Sequence, residues 1–169
     1  MKKIYIGLSS PHKFMPGAAL IQMWMRTNYS HAYVRFESAS LGMSSIYQAS
    51  HGMVHFIEFE NFKSSNNVIK EYEIVLSDED YIDTLRECMK LAGQKYGYAE
   101  LGKILTYDIA NTFGLKLDFK DGKGYICSEL VGKLCADRLW IQFSKPKYLL
   151  TPKDIDIALG NNGYKLFVD

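Results

Sequence analysis

Cysteine is scarce in this chain of 169 residues and badly placed for crosslinking: there are three, widely spaced, with no CxxC pair. An odd, scattered set excludes a disulfide framework and fits a reducing, cytoplasmic setting. Long apolar runs are missing as well, and nothing approaches the roughly eighteen residues a membrane span needs. The apolar stretch after Lys2-Lys3 is too short for a secretory h-region and soon meets Pro11, His12 and Lys13. An excess of either charge is lacking too. The formal net charge is +1 with acids and bases mixed, so no basic stripe marks a nucleic-acid partner. No GxGxxG or Walker-like stretch supports dinucleotide or phosphate-loop chemistry.

What is present is an ordinary globular composition, 47% hydrophobic with 12 Tyr, 9 Phe and 2 Trp. That is enough for one domain over 1–169 with a substantial core; two would each sit near the lower size limit. No repeat, low-complexity tract or linker interrupts it.

The first half alternates like strands. Lys3–Leu8 predicts one strand, and "SHAYVRFES" another, with Ala32, Val34 and Phe36 on one face and His31, Tyr33 and Arg35 on the other. Ser45–Ala49 and Met53–Phe59 predict a hairpin through Ser50-His51-Gly52, and Val68–Leu76 a further strand. Between the first two, Ala18–Arg26 is apolar nearly all round and predicts a buried helix, its Met23, Trp24 and Met25 read as core.

The second half has the helical period. Ser77-Asp78-Glu79-Asp80 opens a helix whose stripe is Ile82, Leu85, Cys88, Met89 and Ala92. Another helix is expected over Ala99–Asn111, then a Gly/Lys/Asp-rich loop (Gly114–Gly124). A helix from Cys127 to about Trp140 presents Leu130, Val131, Leu134, Cys135 and Leu139 inward. Thr151-Pro152 is an N-cap followed by proline at the first helical position, and Tyr164–Val168 a closing strand. The expected class is α+β, a curled antiparallel sheet packed by helices.

The cysteines are not equivalent. Cys88 and Cys135 fall on apolar stripes and read as small core residues. Cys127 opens a helix, where unpaired N–H groups and the dipole favour a thiolate and can also hold an oxyanion. A nucleophile needs a base, and four histidines are available: His12, His31, His51 and His55. His12 sits beside a proline and reads as surface. His31 opens a strand whose other face is apolar. It points to the far side or open end of the sheet if that face packs on the helices, and toward the sulfur if the strand meets the Cys127 helix edgewise.

"YSHAYVRF" followed much later by "YICSELV" resembles the circularly permuted papain-like group of the NlpC/P60 superfamily, the YaeF/YiiX type, in which the histidine strand precedes the nucleophile helix. "IYQASHGMVHFIEFENF", "GQKYGYAELGKIL" and "YLLTPKDI" are similar to the family's later segments, so the likeness spans about Tyr5 to Ile155. The resemblance implies a permuted papain-like domain, an antiparallel sheet or partial barrel against helices, found in bacterial or phage proteins. It implies Cys127 as nucleophile, His31 as base and Gln48 as the side chain orienting the ring, where relatives often carry a carboxylate or a second histidine. Glu58, His51 and His55 are rivals for that role. Tyr96 is the implied oxyanion donor beside the Cys127 N–H, with Tyr125 and Glu58 as further oxyanion or substrate residues.

The function so implied is a thiol hydrolase or acyltransferase working on an amide or (thio)ester, its substrate a cell-wall peptide or a lipid/acyl group. A thiolate–imidazolium pair is the expected resting state. No cofactor and no resident metal are expected. Two other readings stay open: a catalytically inactive papain-like module binding a protein or lipid partner, and a zinc site at His51 and His55, whose spacing suits a helix rather than a strand. Action as a phage- or lysis-delivered protein is compatible with a cytoplasmic location.

Overall fold

The computed structural model describes residues 1–38, 42–112, 114 and 124–167. Strands β1 (Lys2–Pro11), β2 (His31–Ser38), β3 (Met43–Ser50), β4 (Met53–Glu58), β5 (Asn66–Leu76) and β6 (Lys165–Phe167) form one antiparallel sheet. Its order is β4-β3-β2-β1-β5-β6, an open sheet and not a closed barrel. The helices are α1 (Pro16–Met25), α2 (Phe59–Lys63), α3 (Asp78–Leu91), α4 (Tyr98–Thr112), α5 (Cys127–Arg138) and α6 (Pro152–Asn161). The α+β class holds. None of these helices is long and apolar enough to cross a membrane.

The alternation in β2 does what it promises. Ala32, Val34 and Phe36 join Ile4, Ile6, Leu8, Tyr47 and Ala49 in one core with Leu130, Val131, Leu134 and Cys135 of α5. The opposite face carries Tyr33 and Ile46, covered by Phe59 and Phe62 of α2. That short helix follows β4 directly, where sequence alternation ran the strand on to Phe59. Gly7 lets the two faces coexist: a Cβ there would lie 2.0 Å from the Tyr33 ring, which crosses β1 to reach Glu71.

The predicted hairpin forms with a connection one residue shorter: Ser50 pairs with Met53, and His51 and Gly52 make the turn with φ of 50° and 91°, the left-handed pair a two-residue hairpin requires. Thr151 caps α6 in a full capping box with Asp154.

Two burial expectations fail. The helix at α1 is not buried all round: Leu20 is 50% and Met23 72% exposed, Trp24 is partly buried, and only Met25 is core. On α3, Cys88 is buried and Leu85 packs against the core as expected, but Ile82 and Met89 are exposed and Thr84 is buried in addition. In both, only one side of the helix meets the core, so the apolar residues on the other side stay exposed. The helix from Cys127 ends at Arg138, leaving Trp140 exposed with a left-handed φ of 55°. Most of the predicted Gly114–Gly124 loop and Val168 lie outside the described residues.

Candidate active site

Cys127 stands at the first position of α5, delivered by a short bridge in which Tyr96 and Tyr125 pair in parallel. Gly97 N–H donates to the Tyr125 carbonyl at 2.9 Å, and Tyr125 N–H to the Lys95 carbonyl at 3.0 Å. Gly124 is required for this approach, since a Cβ there would come within 2.9 Å of Gly97 Cα. The "GYICS" stretch is thus a backbone clamp that fixes the start of the helix.

Cys127 is buried, 8% exposed. Burial pushes the thiol up, and the backbone N–H groups of Ala32, Ser128 and Cys127 itself act in the opposite direction. The Ala32 donor matters structurally, because it belongs to the residue after His31 and brings the end of β2 to the sulfur. Cys88 and Cys135 are buried free thiols as expected, Cys88 pushed up to about 12.

His31 begins β2 on the face opposite the helix layer, the first of the two placements the sequence allowed. The residue nonetheless lines the same small cavity as Cys127, together with Ile21 and Trp24 of α1 and Tyr96, while its ring meets Gln48 and lies 6.4 Å from the Phe62 ring. The cavity holds about 60 Å³, room for a couple of waters and no substrate. No hydrogen bond joins the sulfur to the ring among the described residues. His31 is packed deeply enough that desolvation pulls its pKa to about 4, against a raising contribution from Gln48. Both partners therefore rest neutral. The expected thiolate–imidazolium pair gives way to a thiol and an imidazole, because burial penalises each charge more than the neighbouring donors favour it.

Gln48 meets His31 Nε2 through Oε1 at 2.8 Å. An amide oxygen only accepts, so Nε2 carries the proton and Nδ1 is left with its lone pair, the tautomer a general base needs. Gln48 Nε2 in turn faces His55 Nε2 at 3.2 Å, and His55 Nδ1 faces the Met53 carbonyl at 3.3 Å. The chain of donors closes without conflict: His55 donates to Met53, Gln48 donates to His55, and His31 donates to Gln48. His55 is thus not a rival to Gln48 but stands behind it. The two-residue turn sets the hairpin register that brings Gln48 opposite His55.

The remaining candidates separate. Tyr96 lines the cavity, and its phenol is pushed up by burial and by the nearby Cys127. Tyr125 does not line it and serves the backbone bridge. Glu58 lies at the exposed end of β4, accepting from Asn61 Nδ2 at 3.2 Å. His51 is in the hairpin turn, its Nδ1 3.1 Å from Ser50 Oγ. With both His55 nitrogens engaged, the zinc reading loses a ligand, and among the described residues no group of three or more His, Cys, Asp or Glu could hold a metal ion. His12 is exposed. Sequence reasoning missed the Ala32 N–H, since a backbone donor leaves no mark on residue identity, and the α1 wall at Ile21 and Trp24. No protein-family model matches the chain, and no curated protein matches it.

Proposed function

We propose that the chain is a thiol hydrolase or acyltransferase of permuted papain-like type, with Cys127 as nucleophile and His31 as base, acting on an amide or (thio)ester of a peptide or acyl/lipid substrate. The observation that carries this reading is one small cavity lined by both the helix-opening Cys127 and His31, whose ring tautomer is fixed by Gln48 at 2.8 Å.

In this reading attack and deprotonation coincide. Sγ adds to the carbonyl carbon while its proton passes to His31 Nδ1, so no buried thiolate has to exist beforehand. The oxyanion is held by backbone N–H at the start of α5, with Tyr96 beside it. Nδ1–H then protonates the leaving amine, alcohol or thiol, leaving a thioester on Cys127. Water, or an acceptor nucleophile, then attacks the thioester carbonyl while giving its proton to Nδ1; the C–S bond breaks, the acyl group leaves on the new oxygen or nitrogen, and Nδ1–H returns the proton to Sγ. Since about 60 Å³ admits no substrate, the wall formed by Ile21 and Trp24 must move to admit one.

A second reading, a catalytically inactive module binding a protein or lipid partner, is favoured by the sealed cavity and the neutral resting pair. One experiment separates them. p-Nitrophenyl acetate should give a burst of p-nitrophenol and one acetyl group on Cys127 in the intact mass. A protein that gives neither, or acetylates equally after Cys127→Ala, is the binding module.

A further inference from the structure

The inward side of α1 is accounted for, since Met25 is core and Ile21 and Trp24 wall the Cys127 cavity. Its outward side is not. Phe14, 82% exposed, and the exposed Met15 lead into the helix, and Leu20 and Met23 follow as i,i+3 neighbours facing solvent. Single exposed apolar residues are ordinary, but four large ones on one short stretch call for an occupant.

The surrounding charge says which. Residues 12–28 contain no Asp or Glu. Beside Met23 an open hollow of about 840 Å³ reaches across to α6, lined by Arg26, Lys70, Lys153 and Asp156, with the half-exposed Ile157 next to them. The one carboxylate there is already committed: Asp156 accepts from Tyr29 and Tyr72 at 2.6 Å and from Lys70 at 2.8 Å. Lys153 Nζ donates to the Met25 carbonyl at 3.0 Å and meets no carboxylate, and the Arg26 side chain has no ion-pair partner among the described residues. Lys13, exposed at the other end of the helix, is likewise unpaired among them. Three uncompensated cations therefore frame an apolar helix face.

We infer that α1 docks on an anionic lipid surface, with Phe14, Met15, Leu20 and Met23 entering the boundary between headgroups and acyl chains while Lys13, Arg26 and Lys153 meet the anionic headgroups. A bilayer offers both halves of that complement, apolar depth under a negative surface. The face is a helix ridge carrying unbranched methionines, which a fluid accommodates without a preformed groove. A second copy of this chain fits poorly, because a two-fold contact through α1 would set the same unpaired cations against each other. The binding does not depend on the Cys127 chemistry.

The test is co-sedimentation of the full chain with sucrose-loaded phosphatidylcholine vesicles, with and without about 30% phosphatidylserine. Saturable binding to the anionic vesicles is expected, at least about ten-fold tighter than to phosphatidylcholine alone and largely lost at about 0.5 M salt. Leu20→Ser/Met23→Ser should weaken it by about ten-fold or more, and Lys13→Gln/Arg26→Gln by about five-fold with a shallower salt dependence. All four positions are exposed, so both variants should keep the melting temperature of the parent. Should one fold poorly, the other variant and the lipid comparison still decide. Absence of binding overturns the inference, as does binding indifferent to phosphatidylserine or unchanged in the variants. A parent that sediments as a dimer, with Leu20→Ser/Met23→Ser a monomer, gives the face to a second copy and overturns it too.

Discussion

Two polar clusters share the α2-covered face of the sheet and are built on opposite principles. Arg35 engages all three guanidinium nitrogens: Nε donates to Glu71 Oε1 at 2.9 Å, Nη2 to Glu71 Oε2 and Nη1 to Glu37 Oε1 at 3.0 Å. Tyr33 adds a third donor to Glu71 at 2.9 Å, and the Tyr5 ring lies 3.8 Å from the guanidinium carbon. Arg35 and Glu71 are both buried. The His31–Gln48–His55 line begins four residues before Arg35 on the same strand, contains no carboxylate or guanidinium, and leaves His31 Nδ1 without a hydrogen-bond partner among the described residues. The charged cluster ties β2 to β5 across β1, whereas in the proposed mechanism the histidine line supplies the base. Substitutions at the two sites should therefore fail in different ways.

The largest effect belongs to the sulfur. Cys127→Ser should lower turnover of an activated ester by about 10⁴-fold or more while leaving the melting temperature within a few degrees, because hydroxyl replaces thiol in a nearly unchanged volume. Activity retained within ten-fold, measured as the burst of p-nitrophenol, ends the nucleophile assignment. Arg35→Met should do the reverse. It leaves Glu71 buried without its partner and should cost about 3–5 kcal/mol in urea unfolding. Any folded fraction should keep its acylation burst. A loss below about 1 kcal/mol would mean that the charge cluster is not what binds β2, β1 and β5.

Much of this contrast was legible in the residues, and the part that was not has a physical cause. Alternation in "SHAYVRFES" correctly put His31 and Arg35 on one face and the core on the other. The Ser77 and Thr151 caps marked α3 and α6 because capping depends on side chains next to the helix start. What alternation does not encode is neighbourhood. Nothing in Lys2–Pro11 says that β1 runs between β2 and β5, so the Arg35–Glu71 pair was invisible. Nor does an apolar helix state how much of its girth will be covered, which is why Met23 was read as core. The neutral state of Cys127 and His31 was out of reach for a related reason: position at a helix start argues for a thiolate, while the desolvation that reverses it depends on packing from α1 and the end of β2.

Gln48 tests the line at its centre. Gln48→Leu keeps the packing and frees the ring to adopt either tautomer, with an expected ten- to hundred-fold loss in acylation rate. Gln48→Glu should instead move the acid limb of the rate profile upward from about pH 4, because a carboxylate against Nε2 favours the imidazolium. The same depressed pKa links stability to pH. Between about 6.5 and 4 the unfolded chain takes up a proton that folded His31 refuses, so stability falls as pH drops across that window, by about 3 kcal/mol at most. His31→Gln should flatten that slope in urea titrations at pH 4 to 7. If the slope persists unchanged, His31 is not held neutral.

His55 should matter least, and its small effect is the sharpest probe of the donor order. It touches neither sulfur nor cavity, and its only route to the chemistry is to keep the Gln48 amide turned with Oε1 toward His31. His55→Phe fills the space but removes the acceptor for Gln48 Nε2, so the amide can flip and offer N–H to His31 Nε2. Each flip would move the imidazole proton to Nδ1 and disable the base. A flip that costs one neutral hydrogen bond is partial, so about a three- to ten-fold fall in acylation rate is expected. His55→Asn, which can still present an oxygen to Gln48 Nε2, should recover part of it. The accompanying signature is spectroscopic: nitrogen-detected NMR of the His31 ring should report Nε2–H in the parent and a mixture of tautomers in His55→Phe. A rate loss with the tautomer unchanged would make His55 a packing residue, and the line would then end at Gln48.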